Sequence, residues 1–474
     1  MSWKWPKLDL WNEGMPNQGA DFRRQKQHNW DALRAWAHRM KDGLGNYSDE
    51  LDTKLTDFDQ RFSDQINGST DNDEVIDARR PYGQSAYDTL GKRLDDMPSD
   101  AEIDADVSDT DDIAGALSDT MKAGLDSFIE TLPSDGFKVA VISDSHFEDH
   151  YDTSYFGTYK YTKDTYEHLN AFNYLAKVAN VLIANGDNTN GNNPDVANTI
   201  AETATFADKI LMQSNTADKY ILPGNHDDNT AFKYSQYNNN QTILPIMPSN
   251  IISKDQFKQL FKTNDLINGE SRDNGSIYFY KDYAAQKIRL IGLDSEDLPQ
   301  DVLNDDGSVK YDRYWYHTYS QAQMNWLVGT ALTGVPDGYQ VMIISHAPVD
   351  GTADKLQFNQ DLMVGLLNAF ATGQSFSGAS VDAVPTELKI DVNADFTSQG
   401  ARTIIGAFAG HIHRESMTTE NNFVVPTFTC DANKSADQVG TDKAMALYVI
   451  TVQTDQRLVT ISGFGHTTTR TYNY

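Results

Sequence analysis

Five stretches of this 474-residue chain place a metal-ligand type of side chain directly behind an apolar run. VISDSH carries Asp144 and His146, and VLIANGDN carries Asp187. YILPGNHDD carries Asn225, His226 and Asp227. VMIISHAP carries His346, and IIGAFAGHIHRE carries His411 and His413. In an extended strand residues i and i+2 share a side. Asp144 and His146 can therefore converge on one point beyond the end of a buried strand. A carboxylate and an imidazole aimed at one point suit a divalent cation. One Asp-x-His pair alone is more often an ordinary polar strand end. Five strand ends delivering Asp, His, Asp, Asn, His, His and His to one rim form a constellation, because ligands of open α/β sheets gather beyond the carboxyl ends of the strands. Five of the eleven histidines fall in it.

The elements that must position these residues are legible from Phe137 onward. Strand-like runs recur as KVAVIS, VLIAN, KYILP, KIRLIGLD, VMIIS, TIIGAFAG, FVVPTFT, ALYVITVQ and LVTISG. Helical segments lie between the early ones, around Tyr166–Asn180 and Asn198–Gln213. Later strands have fewer helices between them. The pattern predicts an α/β fold: a layered β-sandwich flanked by helices, over residues 134–474. Two stretches leave from the rim of the constellation, 228–278 and 350–402, and both can wall or cover a site.

Residues 1–66 follow a different grammar. Trp30, Leu33, Ala37, Met40, Leu44, Tyr47 and Leu51 alternate at spacings of three and four, and Leu55, Phe58, Phe62 and Ile66 continue the stripe. This predicts either a helix pair folded on itself or an oligomeric coiled coil. Residues 67–133 read as a linker segment and a lead-in helix. From Asp95 to Asp112 the chain holds nine acidic residues and no basic one. A helical stripe follows from Ile113 to Ile129, ended by Pro133.

The order Asp-x-His, Gly-Asp, Gly-Asn-His-Asp, His, Gly-His-x-His resembles the calcineurin-like metallophosphoesterases over about residues 137–465. The resemblance implies two divalent metal ions. Asp144, His146 and His413 would hold one, Asn225, His346 and His411 the other, and Asp187 would bridge. His226 would sit beside the substrate, protonating the leaving alkoxide or binding its charge, with Asp227 orienting it. Two cations about 4 Å apart clamp a phosphoryl group and acidify a bridging water, whose hydroxide attacks phosphorus in line. The mixed N/O donors fit Mn, Fe or Zn better than Mg or Ca. No Cys is expected among them: Cys430, the single cysteine, reads as a small core residue. Gly-Asp-Asn-Thr-Asn lacks the Asp-Arg-Gly extension that marks Ser/Thr protein phosphatases, so the resemblance is closer to the phosphodiesterase branches.

Composition narrows the partners. A net charge of −29 disfavours nucleic acid or anionic membrane bound through a broad basic surface. No apolar leader and no run long enough to span a bilayer are expected. EVIDARRPYGQSAYDTLGKRLD, residues 74–95, resembles a signature of tail and baseplate proteins of phages of Gram-positive bacteria. That implies a virion tail location, a homo-oligomer (a trimer by that resemblance), and other tail proteins as partners. A diesterase in that setting suggests host-wall teichoic acid, a polyol phosphodiester polymer, as substrate. The alternatives are a general diesterase for nucleotides or small diesters, and a receptor-binding tail protein with a relic hydrolase domain. Tyr151, Tyr155, Phe156, Tyr159 and Tyr161, and the cluster YDRYWYHTY at 311–319, could stack on sugars or bases, although aromatic packing is the plainer reading. His150 and His317 could contact substrate, although a surface histidine is the plainer reading of each.

Overall fold

The computed structural model describes residues 117–148, 165–234, 243–353, 355–432, 438 and 440–474. The described residues all belong to the unit Val107–Tyr474. The predicted coiled coil, the 74–95 signature, the acidic linker, His150 and the tyrosines of 151–161 lie outside the described residues.

Helix α1 (Asp119–Thr131) is the lead-in helix. Ser118 caps it by accepting from the Met121 amide at 3.1 Å, and Met121, Leu125 and Phe128 turn inward at helical spacing. Strands β1 (Phe137–Ile142), β2 (Val181–Asn185) and β3 (Asp218–Leu222) alternate with helices α2 (Thr165–Tyr174) and α3 (Val196–Leu211). Helix α4 (Lys254–Leu260) opens on a Ser253/Gln256 capping box. Strands β4 (Ser271–Arg272), β5 (Phe279–Tyr283), β6 (Ile288–Gly292) and β7 (Tyr316–His317) follow. Helix α5 (Gln321–Trp326) leads to β8 (Gln340–Ser345) and β9 (Leu356–Gln357). Helix α6 (Gln360–Thr372) precedes β10 (Ser375–Ala379), β11 (Asp391–Asp395) and β12 (Thr403–Ala409). Strands β13 (Ser416–Glu420), β14 (Phe423–Thr427), β15 (Ala446–Gln453), β16 (Leu458–Gly465) and β17 (Arg470–Asn473) complete the unit.

These strands form two large mixed sheets. One runs β17-β16-β15-β1-β2-β3, with β1, β2 and β3 parallel. The other runs β13-β14-β12-β8-β6-β5-β4, with β6, β8 and β12 parallel. The two-residue side-chain period of a strand divides β8 between two cores. Met342 and Ile344 join residues of β1 and β2 in the core shared by both sheets. Val341 and Ile343 face the other way, under Leu366, Leu367 and Phe370 of α6. A strand buried on both faces reads as continuous apolar sequence, which is why VMIIS carries no alternation. The predicted layered α/β sandwich is the fold observed.

The stretch 350–402 departs from its expected role as a cover for the site. Most of it is α6 and the β10–β11 hairpin, packed over the second core. Among its described residues, Lys355 near its start reaches the constellation.

Candidate metal centre

The carboxyl ends of β1, β2, β3, β8 and β12 deliver Asp144, Asp187, Asn225, His346 and His411 within two or three residues of each strand's last position. The chain must turn sharply there. Asp144, His146, Asp187, His411 and His413 all take left-handed backbone angles, with φ between 46° and 67°. Asp and His tolerate that region better than most residues, though still at a cost. Gly186 (φ 84°), Gly224 and Gly410 remove the Cβ atoms that would otherwise fill the centre.

Two donor groups result, and both include Asp187. Asp144, His146, Asp187 and His413 form one, and Asp187, His346 and His411 the other, each with ligand atoms within 4.8 Å of one another. In the first, His413 Nε2 lies 3.2 Å from Asp144 Oδ1 and from His146 Nε2, and His146 Nε2 lies 3.8 Å from Asp187 Oδ2. In the second, His346 Nε2 lies 3.3 Å from Asp187 Oδ1. Asn225 Oδ1 joins it, 3.1 Å from His346 Nε2 and 2.7 Å from His411 Nδ1.

The chemistry of this donor set calls for cations. His346 donates its Nδ1 proton to the Asn185 carbonyl at 2.9 Å, so the neutral ring turns an Nε2 lone pair toward Asn225 Oδ1 and Asp187. With Asn225 Oδ1 turned inward, acceptors face acceptors in a buried site, which positive charge stabilises; the turned amide would instead donate to His346 Nε2 and His411 Nδ1. Burial alone would depress His346, but the Asp187 carboxylate overrides it and lifts the ring to about 10, so without a metal a proton takes the cation's place. His411 is pushed well down by burial and by His317 and His346, which leaves it neutral and ready to ligate.

The supporting groups are equally specific. Ser143 Oγ donates to Asp144 Oδ2 at 2.6 Å, and the His411 amide donates to Asp144 Oδ1 at 3.0 Å. The His226 amide donates to Asp187 Oδ1 at 2.8 Å. The His226 ring stands edge-on to His146 at 4.5 Å, with Nδ1 donating to the Asn190 carbonyl at 2.7 Å. Burial depresses it to about 4.

Asp227 does not orient His226, contrary to expectation. Its carboxylate accepts instead from Asn188 Nδ2 (3.0 Å), Thr189 N (2.8 Å), Thr189 Oγ1 (3.2 Å) and Gly224 N (2.7 Å). It ties the β2 loop to the β3 loop. Cys430 is buried, as expected of a core residue, and it also borders the donors. Its thiol donates to the Asp144 carbonyl at 3.2 Å and forms a third donor group with His146 and His413.

His317 is fully buried rather than a surface residue. Its ring stands edge-on to His411 at 4.5 Å, and its Nδ1 lies 2.8 Å from Glu296 Oε1. Arg313 binds the same acidic group, at 2.8 Å to Asp294 Oδ1 and 3.4 Å to Glu296 Oε2. The cluster 311–319 is therefore chiefly packing: Tyr311, Arg313, His317 and Tyr319 are buried, and Trp315 is exposed. Tyr314 bridges inward, edge-on to His226 at 5.0 Å and stacked on Tyr234 at 4.8 Å. Sequence reasoning missed Glu296, Arg313 and Lys355. One signal was available: Asp294-Ser295-Glu296-Asp297 stands behind the run KIRLIGL, a sixth polar strand end in the sheet that carries His346 and His411.

Residues 137–414 match the family model of calcineurin-like phosphoesterases, which is more than half of the chain. The chain belongs to that family. This phosphoesterase has its donor blocks inside the matched span, and the enzyme is a metallophosphoesterase whose site is built for two divalent cations. Among solved structures it is similar to a dimetal phosphatase from Danio rerio, at 15% identity and a TM-score of 0.46, over 72% of this chain and 100% of that one. It is also similar to the purple acid phosphatase PPD1 from yellow lupin seeds, at 11% identity and a TM-score of 0.35, over 70% of this chain and 52% of that one. A third likeness is to the phosphopantetheinyl hydrolase of Mycobacterium tuberculosis, at 12% identity and a TM-score of 0.28, over 62% of this chain and 90% of that one. No curated protein matches the chain. Among the described residues no helix is long and apolar enough to cross a membrane.

Proposed function

We propose that this phosphoesterase hydrolyses phosphodiesters, and that its substrate is a wall polymer of the teichoic acid type. The observation that carries the hydrolase reading is the shared carboxylate: Asp187 belongs to both donor groups, as a two-cation clamp on one phosphoryl group requires. In this reading Asp144, His146 and His413 hold one cation, and Asn225, His346 and His411 the other. When bound, the cations supply Lewis-acid charge to the phosphoryl oxygens and acidify water. His226 keeps its Nδ1 proton on the Asn190 carbonyl and presents a neutral Nε2 to the site. Such a ring accepts a proton from the attacking water.

The missing Asp-Arg-Gly extension after Asp187 supports the diester preference. The 74–95 resemblance supports a tail-associated homo-oligomer that works with other tail proteins at the host surface. The Tyr314, Tyr234 and Trp315 stack beside His226 favours a second reading, a nucleotide-like diester whose base stacks on these rings. Purified protein with Mn²⁺ is incubated with teichoic acid, and released glycerol- or ribitol-phosphate fragments are measured. Release supports the wall substrate. Hydrolysis of bis(p-nitrophenyl) phosphate and cyclic nucleotides with no release from polymer selects the second reading.

A further inference from the structure

Lys355 lies in the stretch after His346, where no motif points to it. The short parallel ladder of β7 and β9 fixes its position: Tyr316 pairs with Leu356, and the Leu356 amide donates to the Trp315 carbonyl at 3.1 Å. This sets the residue before β9 against the residues before β7. Lys355 Nζ donates to the Tyr314 carbonyl at 2.5 Å and sits 3.3 Å from the centre of the Tyr314 ring. Tyr314 is the ring that meets His226 edge-on.

The Asn225 amide gives this lysine its meaning. Turned over, the amide would donate to His346 and His411, and its oxygen would accept from Lys355 Nζ at 2.9 Å. With Oδ1 turned toward the cation seat, Nδ2 faces Lys355 Nζ at that same 2.9 Å. Two donors then point at each other, and neither has an acceptor between them. Of the ammonium's three protons one goes to the Tyr314 carbonyl, and the side that faces Asn225 Nδ2 is left open to a further acceptor.

We propose that Lys355 contacts substrate: when Asn225 Oδ1 binds a cation, the Lys355 ammonium and Asn225 Nδ2 together take a non-bridging oxygen of the phosphoryl group. The ligand chemistry is a phosphate-ester anion. This inference rests on the dinuclear reading above.

The test uses the full chain loaded with Mn²⁺ and inorganic phosphate as the probe. Metal content, phosphate affinity by calorimetry and diesterase KM are measured for wild type, Lys355→Met, Lys355→Gln and Lys355→Arg. Melting curves identify folded variants. The expected result is two metals per chain throughout, phosphate binding weakened about 10- to 100-fold in the neutral variants, and partial recovery in Lys355→Arg. Wild-type phosphate affinity in metal-loaded neutral variants overturns the proposal and leaves the phosphoesterase reading standing. Loss of metal together with phosphate assigns Lys355 to holding Asn225 and overturns the substrate role. Failure of wild type to take up metal removes the dinuclear reading and this inference with it.

Discussion

Replacing Gly224 by Ala tests the geometry with a single methyl group. A Cβ at this position would overlap the Asp187 backbone nitrogen and Oδ1, and would lie 2.7 Å from His346 Nε2. Ordinary contact begins at 3.4 Å, so the imidazole alone would have to retreat by about 0.7 Å. Metal sites tolerate errors of roughly 0.2 Å in ligand distance, so a displacement several times larger removes Asp187 and His346 from joint coordination. The fold should survive, because overpacking costs about 1–3 kcal/mol and neither sheet core is touched. The expected outcome is a folded protein with fewer than two metals per chain by elemental analysis, and diesterase activity reduced by a factor of about 100 or more. Gly329→Ala is the control. That glycine is exposed, has nothing within 4 Å of a built Cβ, and should leave metal content and rate unchanged. A Gly224→Ala protein holding two metals and turning over at the wild-type rate would refute the placement of Asp187 and His346 at one centre.

Arg313→Met leaves Asp294 and Glu296 buried without their cation, so unfolding free energy should fall by about 3–5 kcal/mol, read from the denaturant midpoint. His226→Gln should keep both metals and lower kcat by about 10²- to 10⁴-fold; an unchanged rate would end its proton-accepting role. In metal-free protein the proton on His346, whose folded pKa is raised from 6.5 to about 10, contributes stability below pH 6.5 that is lost as pH rises through 10. Chelated protein should therefore show a falling melting temperature between pH 7 and 10, with a shallower slope for the metal-loaded form. A saturating metal at 100 times its dissociation constant should add about 2.7 kcal/mol at neutral pH, visible as a higher melting temperature.

The donors were legible because their chemistry restricts residue type and their position is fixed by strand ends. An apolar run that stops at Asp, Asn or His needs no tertiary information to be noticed. The groups behind them were not legible, because their roles depend on partners remote in sequence. His317 in YDRYWYHTY looks like a surface residue until Glu296, from the end of β6, closes over its Nδ1. Lys355 looks like a loop lysine until the β7–β9 ladder sets it against Tyr314 and Asn225. Cys430 reads as core filler, and it is buried, but its thiol also borders His146 and His413. The stretch 350–402 leaves from the rim and so reads as a wall or cover, and the polar sequence DVNAD of β11, whose residues alternate between exposed and buried, gives little apolar signal of its packing.

The backbone explains why the donors are confined to these positions. Five of them sit at left-handed φ, each at a cost of about 1–3 kcal/mol to the fold. A chain holds such angles only where its surroundings over-determine them. Here β1 and β2 lie parallel inside one sheet and β8 and β12 inside the other, all four end in one rim, and Ser143, Asn185 and Asp227 tie the loops beyond them with buried hydrogen bonds. Exchanging a donor for a residue that resists positive φ would release backbone strain and lose a ligand in the same step. His413→Val, for example, should bind less metal, and the β-branched side chain should also disfavour the φ of 52° that the loop requires. His413→Asn tolerates that angle and keeps a donor oxygen, so it should retain more metal than the valine variant. Equal metal content in the two would show that backbone conformation does not contribute to ligation here.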